Sequence, residues 1–508
     1  MLNDSILNTT IEFDTAALRR RFFEVLPGAL AWCTLLALAV LAFVLPFWIA
    51  VFVIVYDVYV LIRAAYMAVH LIYAYRRLHR LRAVDWLQSC RTTRTDLPWD
   101  AVHHIVVLPT YNESLQVLRT SLASLTRTDF PQQRLHVVVG FEARAGERAL
   151  TRAAVLRREY GRAFGTFLTT LHPDNLPGEK QVKSANANWA LRQLEEGLLH
   201  RGIPVGHILV SNFDSDTVVD KNYFAHLTYV FVTHPDRYHV SYQPLPVYNN
   251  NLWDAPAFSR VIATGSTFWQ MIESTRPERL VTFSSHAITL RALKDVGYWQ
   301  PDIVSEDSRI FWQCLLRYNG RYRTVPLYTA VSMDAALAKS WLRTFINQYK
   351  QKRRWAWGIE NFPYMAEGFV RRRIPLRTKI TYIIRTLEGH YSWATTAIIA
   401  AGLGWLPIMF GSPQFHATVL SYSLPYVART IMSIAMVGLL VSTAISLLLL
   451  PPKPSRYSRW RYLPMAFQWA LVPVIATVLS AVPALDAETR LMLGRDLAFN
   501  VMEKNRRS

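Results

Sequence analysis

Apolar residues follow two different rhythms along this chain. From Leu26 to Ile62 the run is almost unbroken, and Asp57 is the charged residue inside it. That is longer than the roughly twenty residues one membrane crossing needs. Pro46 near its middle predicts two helices, Leu26–Leu45 and Phe47 to about Ala68. Three more apolar segments lie near His390–Phe410, Thr430–Leu450 and Leu463–Val482. Between Leu97 and Ala338 the rhythm changes to short apolar runs alternating with helical periodicity. Strands are predicted at Ile105–Leu108, Leu135–Val139, Phe167–Leu171 and Ile208–Val210. Helices are predicted near Leu115–Leu125, Glu147–Phe164 and Ser184–Leu199. This alternation argues for an α/β unit with a parallel, doubly wound sheet.

Composition sharpens the division. The 508-residue chain is 51% hydrophobic and 18% charged, against about a quarter charged in soluble proteins, which implies an integral membrane protein. The net charge is +20. Its basic clusters, Arg19–Arg21, Arg76, Arg77, Arg80, Arg82 and Arg371–Arg373, adjoin apolar segments. That placement predicts a cytosolic face against anionic membrane lipid. No finger, basic zipper or RNA-binding signature points to nucleic acid. The pattern of Trp341, Phe345, Tyr349 and Trp355 among basic residues predicts a helix in the membrane interface. The last apolar segment, interrupted by Pro473, lies between the basic loop Lys453–Arg461 and a basic tail with Arg490, Arg495, Lys504, Arg506 and Arg507. Either the charge rule is broken there or that segment is re-entrant. Cys33, Cys90 and Cys314 have no disulfide or zinc spacing and read as reduced thiols. The expected order is an N-terminal cytosolic segment (1–21), a transmembrane hairpin (22–75), the α/β unit (76–338), interfacial helices (339–380), a transmembrane bundle (381–483) and the basic tail (484–508).

Five stretches carry candidate chemistry. Thr110, Tyr111 and Glu113 follow the first strand, where an aromatic ring can hold a nucleobase or simply belong to a turn. Lys183 and Asn188 open a helix; the lysine suits a diphosphate and the asparagine a ribose or sugar, or both serve the helix start. Asp214 and Asp216 stand at the carboxyl end of the fourth strand, where ligands bind in open α/β sheets. Paired carboxylates there suit Mg2+ or Mn2+ bridging a diphosphate, or an ordinary Asp-Ser-Asp turn. Glu306 and Asp307 open another helix, as a general base or as acids favoured by the helix dipole. Gln351, Arg354 and Trp355 supply a guanidinium for phosphate and an indole for a sugar, or a plain interfacial anchor.

Together and in this order, these stretches resemble the membrane-embedded family 2 glycosyltransferases, the group of cellulose, chitin and hyaluronan synthases. The resemblance covers about residues 100–360. It implies a cytosolic GT-A (Rossmann-like) glycosyltransferase domain inserted between transmembrane helices. It assigns Asp214 and Asp216 to the nucleotide diphosphate and its Mg2+ or Mn2+. Asp307 in Ser305-Glu306-Asp307 matches the catalytic base, with Glu306 beside it. Gln351, Arg354 and Trp355 match Gln-x-x-Arg-Trp at the diphosphate and acceptor. Thr110, Tyr111 and Glu113 match the nucleoside site, and Lys183 and Asn188 the donor side. Phe283–Arg291 looks like the acceptor-side segment. Where the family has an Asp after the second strand, this chain has Gly140-Phe141-Glu142, so Glu142 is the expected base-reading carboxylate. The implied reaction is inverting transfer from a nucleotide sugar, with uridine the favoured base, to a growing polysaccharide with export through the protein's own helices. Transfer to a lipid acceptor, as in non-processive glycolipid synthases, is the alternative. The resemblance also implies export or assembly partners and a bacterial inner membrane location.

Overall fold

The computed structural model describes residues 2–497; Lys504, Arg506 and Arg507 of the basic tail lie outside them. The chain divides into two compact units, one of residues 73–339 and one of residues 2–72 with 340–497 among those described.

The first of these is built on one eight-stranded sheet. Its strands are β1 (His103–Pro109), β2 (Leu135–Glu142), β3 (Thr166–His172), β4 (Ile208–Asn212), β5 (Val218–Val219), β6 (Val240–Val247), β7 (Ala287–Thr289) and β8 (Arg323–Ser332), in the spatial order β3-β2-β1-β4-β7-β6-β8-β5. The β3-β2-β1-β4 half is parallel, as the strand-helix alternation predicts. The other half corrects the expectation of a wholly parallel sheet. β7 runs antiparallel to both β4 and β6, and β5 antiparallel to β8. The reason is local: β7 is three residues long and enters from the turn Phe283–His286, which brings the chain back against the direction of β4. Ile105–Leu108, Val137–Val139 and Ile208–Val210 are fully buried, as strands covered on both faces must be. The helices Leu115–Thr126, Glu147–Tyr160 and Lys183–His200 connect these strands. The second of them stops four residues short of the predicted end, at Gly161.

The other unit is helical. Its first helix, Leu2–Val44, gives way at Leu45, and Pro46 opens the helix Pro46–Arg82. A proline at the first helical position needs no hydrogen-bond partner for a missing N–H, so the break falls where the sequence places it. Four helical stretches are long and apolar enough to cross a membrane: Thr15–Val44, Pro46–Arg82, Val419–Leu448 and Arg459–Met492. The span expected at His390–Phe410 is not among them. There the helix Leu376–Ala401 ends, a turn covers Leu403–Trp405, and a short helix covers Leu406–Phe410. Gly402, Gly404 and Pro407 account for the interruption. The segment carrying Pro473 stays helical through Met492, with a π turn at Thr477–Ala481 that absorbs the irregularity.

Candidate active site

Strand β4 ends at Asn212, and the chain turns through the buried Phe213 into Asp214 and Asp216. Lys183, the first residue of the helix Lys183–His200, reaches this turn. Its ammonium lies 2.7 Å from Asp214, 3.4 Å from Asp307 and 3.8 Å from Glu306. One half-buried cation thus joins three acidic side chains from two distant stretches. Burial works against the charge on Lys183, but Asp214, Asp307 and Glu306 outweigh it and hold its pKa well above the usual lysine range. Glu306 is 3% exposed. Burial, reinforced by the neighbouring charge of Asp307, pushes its pKa up to about 8. Glu306 therefore carries a proton near neutral pH, whereas the Asp307 side chain keeps some exposure.

The turn before β7 braces the same cluster. Ser284 donates to the second oxygen of Asp214 at 2.8 Å. His286 Nδ1 lies 3.7 Å from Asp307 and donates to the carbonyl of Phe283 at 2.9 Å. The indole N–H of Trp299, a group that only donates, points at His286 Nε2 at 3.3 Å. That fixes the neutral Nδ1–H tautomer, in line with a pKa lowered chiefly by burial. Ser285, between these two side chains, has φ +65°, a strained backbone for a non-glycine residue. Asp216 is fully buried; one of its oxygens accepts from the Asp334 amide at 2.7 Å.

The nucleoside-side residues form a second cluster at the ends of β1 and β2. Glu113 accepts from the Thr110 hydroxyl at 2.7 Å and from the amides of Tyr111 and Asn112 at 2.9 and 3.1 Å, so it shapes the loop that presents Tyr111. Arg144 pairs with Glu142, lies 4.2 Å over the Tyr111 ring and donates to Gln181 at 2.7 Å. Burial raises the pKa of Glu142 and Arg144 opposes it. Gly140 is required here: a Cβ would stand 2.4 Å from Asn186 Oδ1. Asn188 has a structural use, because its carboxamide closes on both the carbonyl and the amide of Trp299, at 2.6 and 3.3 Å.

Gln351, Arg354 and Trp355 belong to the helical unit, on the helix Trp341–Ala356. This helix is inside out by the standard of a soluble protein. Thr344, Gln348 and Gln351 are its buried side, while Trp341, Leu342 and Ile346 are exposed, as suits a helix facing lipid. Gln351 accepts from Gln348 at 3.0 Å. Lys352 sits 4.9 Å over the Trp355 ring and 5.6 Å from Trp393. Arg353 is tied to Asp486 at 2.8 Å.

Sequence context singles out neither Arg144 nor Asp334, and it names Ser284 and His286 only as part of the acceptor-side segment Phe283–Arg291. Serines in a Phe-Ser-Ser-His turn carry no spacing that announces a carboxylate partner; only the return of β7 beside β4 brings them there.

A family model described as "Glycosyl transferase family group 2" matches residues 209–481. The cellulose synthase catalytic subunit [UDP-forming] of Pseudomonas fluorescens (strain SBW25) is 24% identical over 337 residues, covering 64% of this chain and 40% of that protein. The same subunit of Xanthomonas axonopodis pv. citri (strain 306) is 25% identical over 304 residues, covering 58% and 36%. The match thus spans well under half the length of these relatives. Among solved structures, a mannosyltransferase of Pyrobaculum calidifontis in complex with GDP-Man and Mn2+ covers 87% of this chain and 99% of its own at 15% identity and a TM-score of 0.39. S. aureus TarS 1-349 in complex with UDP covers 70% and 94% at 16% identity and a TM-score of 0.36. The family match runs from β4, through the Asp214 turn, Glu306, Asp307 and the Gln351–Trp355 helix, over more than half of the chain, which therefore belongs to the group 2 glycosyltransferases.

Proposed function

We propose that this protein transfers a sugar, with inversion, from a UDP-sugar to the growing end of a polysaccharide at the cytosolic face of a membrane. The observation that carries the reading is the joining of Asp214, Glu306 and Asp307 around Lys183. Family membership and the UDP-forming cellulose synthase relatives support it. Asp307 is the base that takes the proton of the acceptor hydroxyl. Glu306, protonated beside it, limits the cluster to the charges of Asp214, Asp307 and Lys183. In this state Lys183 holds Asp214 and Asp307 together. A donor diphosphate offers Lys183 a stronger partner, which frees Asp307 toward the acceptor. Tyr111, with Thr110, Glu113 and Glu142 shaping its loop, receives the base. Gln351, Arg354 and Trp355 hold diphosphate and acceptor.

Among the described residues no group of three or more His, Cys, Asp or Glu side chains forms a metal cage. That fits Mg2+ or Mn2+ of the kind held by one or two carboxylates together with substrate phosphates. Asp214, whose side chain is part-exposed, and Asp216 two residues on are the residues that would hold it. Bound there, a divalent cation would offset the charge gathering on the leaving diphosphate. A lipid acceptor is the second reading, favoured by the count of four apolar helices among the described residues, few for a polymer path. Incubating the purified protein with UDP-sugars and GDP-sugars, then analysing products, tests the proposal. Long glycans with released UDP support it, single-sugar lipids shift it to the second reading, and no transfer from any UDP-sugar refutes it.

A further inference from the structure

One cavity of the helical unit is lined by two opposite charges that lack partners among the described residues. It has a volume of about 160 Å3, with apolar walls that include Val53, Ile399, Leu424 and Met432 and with Tyr56 and Trp405 beside them. Asp57 lines it and is 5% exposed. Arg429 lines it from another helix. Neither residue makes a hydrogen bond or an ion pair among the described residues, and the two do not pair with each other. Both lie on stretches able to cross a membrane, Pro46–Arg82 and Val419–Leu448.

A buried carboxylate without a counter-charge is costly in a low-dielectric setting, and an ionisable residue at membrane depth marks a functional position by default. Here the missing partners have a definite arrangement. A carboxylate and a guanidinium held apart across one cavity complement a ligand that carries a cation and an anion a few bonds apart. The aromatic faces of Tyr56 and Trp405 suit an ammonium group, and a guanidinium suits phosphate oxygens. The apolar walls suit the first carbons of acyl chains. We propose that this cavity binds the headgroup of a zwitterionic phospholipid, with the ammonium at Asp57 and the phosphate at Arg429.

The test uses the full chain purified in detergent, with phosphatidylethanolamine, phosphatidylcholine or phosphatidylglycerol of identical acyl chains added back. Native mass spectrometry counts retained lipids, and thermal shift reads their effect. Either zwitterionic lipid is expected to bind about tenfold tighter than phosphatidylglycerol, the scale of one charge-assisted hydrogen bond. Ethanolamine above choline assigns the ammonium to hydrogen bonds with Asp57; choline above ethanolamine assigns it to the aromatic faces. Asp57→Asn and Arg429→Gln should each erase the preference. Arg429 is exposed, so its variant keeps the test alive if Asp57→Asn fails to fold. A wild-type protein that binds phosphatidylglycerol equally well, or a preference that survives either variant, overturns the proposal.

Discussion

The sheet unit and the helical unit treat charge and apolar surface in opposite ways. In the sheet unit the charges of the site are gathered: Lys183 touches three carboxylates, and Ser284 and His286 brace two of them. In the helical unit Asp57 stands alone in a cavity wall, and both carboxylate oxygens of Glu488 are buried without a hydrogen-bond partner. Large apolar side chains invert the same way. Few are exposed in the sheet unit, Leu150, Leu171 and Trp269 among them, whereas the helical unit exposes Leu36, Val40, Val55, Ile62, Val419 and Leu440. The difference teaches where each unit expects its missing partners. The sheet unit sets the charges of its site against one another. The helical unit presents apolar surface of the kind a membrane covers.

That contrast can be broken at several points, beginning with the largest effect. Chelating divalent cations, or replacing Asp216 with Asn, should lower transfer by roughly a hundredfold or more, the scale of several kcal/mol of charge stabilisation. Turnover assays with and without Mg2+ or Mn2+ read this directly, and transfer that survives chelation removes the metal from the site. Lys183→Met should cost about 3 kcal/mol of stability, because the carboxylates of Asp214 and Asp307 then face each other beside Glu306 with no cation, and donor turnover should fall with it. Chemical denaturation and a donor titration measure the two effects.

On the helical side, Trp355→Leu separates a sugar platform from an anchor. Loss of acceptor positioning costs about a hundredfold in rate, while UDP affinity stays near wild type. Loss of an anchor costs little. Near-normal product from a folded variant would leave Trp355 an anchor.

A further test is a pH slope of stability. A free glutamate titrates at 4.5, and Glu306 at about 8 in the folded protein. Between those values the folded state keeps a proton that the unfolded chain has released. Stability should therefore fall as pH rises from about 4.5 to about 8, then level off. Glu306→Gln should flatten that slope in thermal melts across the same range. An unchanged slope would place the titrating group elsewhere.

Much of the sheet unit could be read from sequence because its signals are local. Ile208–Val210 is an apolar run that stops at polar residues, and it is strand β4 with Asp214 at its end. Lys183 could be named as a donor-side residue, but not as the hub of three carboxylates, because its partners lie 31 and more than 120 residues away. β5 and β7 escape a sequence reading for the same reason. A two-residue strand and a three-residue strand carry no periodicity of their own and exist through pairing. In the helical unit Pro46 marked its break, but the span expected at His390–Phe410 failed where glycines and Pro407 interrupt the helix. Apolarity alone does not register that interruption.

The role of Asp307 is tested most directly by measuring UDP affinity and sugar transfer on one preparation of Asp307→Asn. A general base acts on the acceptor in the chemical step, so its loss should lower transfer by about a thousandfold and leave UDP affinity within about twofold of wild type. UDP affinity that falls as far as transfer, or transfer that stays at the wild-type rate, would contradict the assignment of Asp307 as the base.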